Sequence, residues 1–139
     1  MFNQVNFVSE IKQIVNDFML YTNLTHIETD AEYQKAIHEY ENAVIVCGSM
    51  NQACIPVYRI AEELESEFPH VKFFDIEFIN PESHAIRNLT RDKEINTLPF
   101  LVFYKNGKVL NATSEVQTPE MVKALLEVEY PVTIHTIAL

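Results

Sequence analysis

Cysteine is scarce in this sequence. Two residues in 139, Cys47 and Cys54, cannot build the disulfide framework of a small secreted domain. Cationic side chains are also few: ten Lys and Arg stand against twenty Asp and Glu, a formal charge of −10. The attraction to phosphates that drives nucleic-acid binding is therefore missing, and no nucleic-acid partner is expected. The same acidity disfavours anionic membranes and suits a basic partner. Long apolar runs are absent too. Glu10, Lys12 and Asp17 interrupt Met1 to Leu20, leaving no continuous core for a signal peptide. No stretch approaches the roughly 20 residues that cross a bilayer. The expectation is a cytoplasmic protein without membrane contact. The five histidines are scattered without metal-ligand spacing, and neither a metal nor a cofactor is implied. With no repeat and no linker-like segment, a chain of this length suits one domain with a substantial core.

What is present is a regular alternation of helix and strand patterns. Phe7, Ile11, Ile14, Val15 and Phe18 recur at helical spacing and predict an amphipathic helix at the start of the chain. Leu24–Glu28 reads as a short strand, and Thr29 with Glu32 offers a capping box for a helix to about Tyr40. Ala43–Val46 is an apolar run of the kind a buried strand makes. The next helix, Ile55–Phe68, turns Val57, Ile60, Ala61, Leu64 and Phe68 inward and Glu62, Glu63, Glu65 and Glu67 to water. Val71–Ile79 is rich in strand formers, and Asn80-Pro81 caps a helix carrying Ala85, Ile86 and Leu89. A strand led by Pro99 ends near Tyr104. Asn106-Gly107 then supplies the positive φ angles of a type I′ turn, and Val109–Thr113 returns. Thr118-Pro119 caps a last helix with Met121, Val122, Leu125 and Leu126. After the first helix the order is β-α-β-α-β-α-β-β-α. This is an α/β mixed sheet flanked by helices, parallel where helices intervene and antiparallel at the closing hairpin.

The stretch from Asn42 to Pro56 is the candidate site. A strand ends at Gly48, crosses a polar turn and enters a helix whose first N–H groups point at whatever docks there. Two helix starts are compatible with the residues. If the helix begins near Cys54, Pro56 falls in its first turn, where its missing N–H is tolerated. The thiol then sits at the positive end of the helix dipole, which favours a thiolate. If the helix begins at Asn51, Pro56 distorts its second turn and Cys54 is shielded. A Cys47–Cys54 bridge requires Cα atoms within about 7 Å; otherwise free cysteines behave as small buried hydrophobes.

The element order, together with Thr97-Leu98-Pro99-Phe100 leading into the Lys105-Asn106-Gly107 hairpin, resembles the thioredoxin family over about residues 24–128. The resemblance implies a thioredoxin-like domain in 23–129, an added N-terminal helix in 1–22 and a tail in 130–139. It sets Asn51-Gln52-Ala53-Cys54 on the family's C-x-x-C, so the attacking position holds an asparagine, which cannot form a thiolate. The resolving position keeps Cys54. The family's buried acidic residue falls on Ile45, the tryptophan ahead of its motif on Cys47, and a glycine bordering its peptide groove near Glu115. Pro99 matches the family's cis-proline, whose neighbouring backbone pairs with extended peptides, and an X–Pro bond adopts the cis form at small cost.

The function these residues imply is binding of a protein or extended peptide, in the manner of a chaperone, without general disulfide reductase activity. Recognition is expected by strand addition at Asn51, Gln52, Ala53, Leu98, Pro99, Phe100 and Glu115. The N-terminal helix offers a second contact or a homodimer interface. The opposing reading is an atypical thiol–disulfide oxidoreductase using Cys54, with or without Cys47. The reactivity of Cys54 separates the two.

Overall fold

The computed structural model describes residues 20, 22–114 and 117–132. The expected N-terminal helix, Glu115 and all but the start of the tail lie outside the described residues. Among the described residues five strands and four α-helices follow the sequence order. They are β1 (Thr25–Ile27), α1 (Asp30–Glu39), β2 (Asn42–Gly48), α2 (Ile55–Glu67), β3 (Lys72–Glu77), α3 (His84–Asp92), β4 (Phe100–Lys105), β5 (Lys108–Thr113) and α4 (Pro119–Glu129). The sheet order is β1-β3-β2-β4-β5. β1 and β2 run parallel to β3, and β4 runs antiparallel to both β2 and β5.

Local chemistry accounts for the boundaries. Thr29 and Glu32 make a reciprocal capping box at the start of α1, which satisfies N–H groups that a helix start leaves open. Asn106 and Gly107 both hold positive φ, 51° and 81°, the pair a type I′ turn requires. β2 sits at the centre of the sheet with Ala43 to Gly48 buried. Its apolar run follows from being covered on both faces rather than one. Alternation along the strands then builds two cores. Val44, Val46, Phe73, Leu101 and Phe103 pack under α2 and α4. Ala43, Ile45, Phe74, Ile76, Val102 and Tyr104 pack under α1 and α3. Each fully buried Val, Leu, Ile or Phe contributes roughly 1.5–3 kcal/mol. Inside this frame the Tyr130 hydroxyl lies 3.1 Å from the Ala43 carbonyl and 2.7 Å from that of Tyr104, and donates across β2 and β4. Among the described residues no helix is long and apolar enough to cross a membrane.

Candidate functional site

The parallel strands β2 and β3 end on the same side of the sheet, and the turn from β2 into α2 forms there. Of the two helix starts, the late one is observed. A single 3-10 turn, Gln52–Cys54, precedes α2, and Pro56 lies in the first turn of the helix. Asn51 caps that turn: its Oδ1 accepts from the Ala53 N–H at 2.9 Å, and its carbonyl accepts from the Cys54 N–H at 3.0 Å. The Tyr58 hydroxyl, one turn into α2, donates to the Ser49 carbonyl at 2.6 Å and anchors the turn from beneath.

Asn51, Gln52 and Ala53 are exposed, whereas Cys54 is buried with its Sγ 3.7 Å from Ser49 Oγ. Cys47 is also buried, and both thiols are free. The two side chains belong to opposite faces of the sheet, Cys54 under α2 and Cys47 under α1 and α3. Burial pushes the Cys47 thiol well up, reinforced by the nearby Glu77. Neither thiol is presented to solvent as an attacking group.

Next to the turn lies a cavity of about 830 Å³, within the size range of ligand sites. Ala53 and Val57 line it from the helix start, Thr97, Leu98 and Pro99 from the segment before β4, and Ser114 and Gln117 from the segment after β5. Glu94 and Asn96 complete it from the loop after α3. The Leu98–Pro99 peptide bond is cis. Cross-bracing holds the two loops together: Gln117 Nε2 donates to the Pro99 carbonyl at 3.1 Å, and the Thr97 hydroxyl donates to the Ser114 carbonyl. Leu98 is 37% exposed, and among the described residues no partner engages its backbone N–H or C=O.

Two expectations are corrected. Phe100 is fully buried and meets Phe78 edge-on at 6.4 Å, so its side chain belongs to the core and not to the cavity lining. Its position as the first residue of β4, directed toward α1 and α3, is the reason. Ile45 likewise points to the α1 and α3 face, away from Cys54; the β2 residues on the Cys54 face are Val44 and Val46. Acidic groups on that face come from the neighbouring strand. Asp75 pairs in register with Val46 and Glu77 with Gly48, and both are buried.

Asp75 is held by His26 Nδ1 at 2.8 Å and by the Thr22 hydroxyl. Burial raises its pKa, opposed by those two bonds. Glu77 accepts from the Ile79 N–H at 3.3 Å through Oε1, while Oε2 has no partner among the described residues. Its pKa is raised, again by burial first, with bonds from the Ile79 and Phe78 backbone working the other way. A carboxyl whose folded pKa is raised stabilises the fold fully below its unfolded value, here 4.5. That contribution is lost as pH rises through the folded value. Urea titrations should therefore show wild-type stability falling as pH rises above about 4.5. Glu77→Gln should flatten that fall by about 1.4 kcal/mol for each unit of upward shift. A Glu77→Gln profile parallel to wild type would contradict it.

Sequence reasoning missed Glu94, Asn96, Ser114 and Gln117 as groove residues, because they come from two loops far apart in the chain. Glu94 carried no signal at all. Among the described residues no three His, Cys, Asp or Glu side chains cluster as a metal site.

This architecture, a mixed five-stranded sheet with helices on both faces and a proline-led strand facing a strand–turn–helix, is a thioredoxin-like fold. Solved structures agree. Thioredoxin f2 from Chlamydomonas reinhardtii superposes with a TM-score of 0.65 at 14% identity, covering 80% of this chain and all of that one. Thioredoxin from Trypanosoma brucei brucei gives 0.62 at 19% identity, covering 78% and 92%. Thioredoxin O2 from Arabidopsis thaliana, in its oxidized state, gives 0.61 at 18%, covering 78% and 96%. No family model matches the sequence, and no curated protein matches it.

Proposed function

We propose that this protein binds extended segments of other proteins in the groove beside Pro99 and does so without dithiol exchange. The observation that carries the reading is the groove's composition. It combines a cavity of ligand size with an exposed Leu98 whose backbone N–H and C=O have no partner among the described residues, next to a turn where the resemblance sets the exposed Asn51 on the family's attacking cysteine. Backbone hydrogen bonds to Leu98 supply affinity, and the pocket between Ala53, Val57 and Gln117 supplies selection of side chains. The net charge of −10 favours a basic partner and speeds its approach.

Ala53 provides the test. It is exposed and lines the cavity from the helix start, so Ala53→Trp fills the groove without disturbing the core. In fluorescence-anisotropy titrations with extended peptides, Ala53→Trp should weaken binding at least about tenfold, roughly 1.4 kcal/mol, while the melting temperature stays within a few degrees of wild type. Unchanged affinity in the folded variant would remove the groove from the account.

A further inference from the structure

Glu94 stands out twice. It holds a φ of 56°, in the left-handed region where a Cβ is disfavoured and glycine is the usual occupant. The reason for that conformation is local. Lys93 ends α3, and the chain reverses through two bonds, Ile95 N–H to the Thr90 carbonyl at 2.8 Å and Glu94 N–H to the Arg91 carbonyl at 3.4 Å. That is a Schellman ending with glutamate at the position that glycine fits best. Glu94 is also the one charged residue among the described residues lining the groove. Among those residues no ion pair engages its carboxylate. Neither its backbone conformation nor an ion pair among the described residues accounts for an acidic side chain here.

Resting on the groove reading above, we infer that Glu94 selects the occupant: an extended peptide with a Lys or Arg side chain whose cation meets the Glu94 carboxylate. The rest of the lining is uncharged, made of Ala53, Val57, Leu98 and Pro99 with the neutral polar groups of Asn96, Thr97, Ser114 and Gln117. Among the described residues a peptide therefore meets one negative charge in an otherwise neutral lining. Register is set by that charge, because backbone pairing at Leu98 alone tolerates any sequence. The excess of acidic over basic residues across the chain works in the same direction at longer range.

The experiment uses a library of nine-residue peptides with one central position fixed in turn as Lys, Arg, Gln or Glu and all others randomised. Retention is measured on immobilised full-length wild type, Glu94→Gln, Glu94→Lys and Ala53→Trp at low salt. Wild type should retain the Lys and Arg sets about fivefold over the Glu set, the ratio for a partly exposed ion pair, and the preference should shrink as salt rises. Glu94→Gln should abolish the preference by lowering retention of the Lys and Arg sets to that of the Gln set, and Glu94→Lys should invert it. Glu94→Gly should raise the melting temperature by roughly 4 °C, which shows that the carboxylate is kept against stability. Equal retention of the Lys and Glu sets by wild type, with retention still lost in Ala53→Trp, would overturn the role of Glu94 and leave the groove standing. Retention that Ala53→Trp does not reduce, for any set, would overturn both. A lower melting temperature for Glu94→Gly would show instead that Glu94 serves the fold.

Discussion

Gly48→Ala should destabilise the fold by about 3 kcal/mol and loosen the groove with it. Gly48 ends β2, and a Cβ built there would lie 2.2 Å from the Tyr58 hydroxyl and 3.0 Å from Cζ of the same ring. The ring cannot swing aside, because Tyr58 is 1% exposed and its hydroxyl is bonded to the Ser49 carbonyl at 2.6 Å. Overpacking of this kind costs about 1–3 kcal/mol, and the displaced hydrogen bond adds roughly 1 kcal/mol. Since that bond anchors the turn from Ser49 to Cys54, peptide affinity should fall together with stability. Tyr58→Phe removes the clashing oxygen, so the double variant should be more stable than the two single losses predict, by at least about 0.5 kcal/mol in a urea-denaturation cycle. Strict additivity would mean that the two residues do not meet as described.

Asn51→Cys should raise disulfide-exchange activity far above that of wild type. The Cys54 N–H to Asn51 carbonyl bond of 3.0 Å closes a turn between these residues, and the ends of such a turn lie under about 7 Å apart at Cα. That separation meets the requirement of a disulfide, about 4.4–6.8 Å. The introduced thiol would occupy an exposed position at the start of the helix, with Cys54 buried behind it as the resolving group. In the reaction the introduced thiolate attacks a substrate disulfide and one substrate thiol leaves. Cys54 then displaces the second, which leaves an intramolecular bridge for dithiothreitol to reduce. Turnover of a small disulfide substrate should rise at least about 100-fold over wild type, in which both thiols are buried. Cys54→Ser should abolish the gain. Wild type turning over at a rate comparable to Asn51→Cys would mean that Cys54 already acts as a redox group.

Much of the fold was legible because its signals are local. The capping box at Thr29 and Glu32, the Asn106-Gly107 turn and the Thr118-Pro119 cap each act within four residues, and the structure carries all three. Ile45 shows where local reading stops. The resemblance set the family's buried acidic position on Ile45, but a one-residue difference in register moves a strand side chain to the other face. Only the pairing of β2 with β3 shows which face it takes. The burial of Asp75 and Glu77 was not legible, since nothing in the sequence says that β3 carries them into the α2 face. The groove was half legible: Leu98 and Pro99 were read from their motif. Glu94, Ser114 and Gln117 come from loops that meet only once the sheet closes, and no spacing connects them.

The most direct test is an amide-resolved NMR titration of the isotope-labelled protein with one retained lysine-containing peptide, run on wild type and on Cys54→Ser. The account predicts shift changes concentrated at residues 51–57, 94–99 and 114–117, with the same affinity in both proteins. Changes centred on β1 and α1, or binding that disappears with the Cys54 thiol, would contradict it.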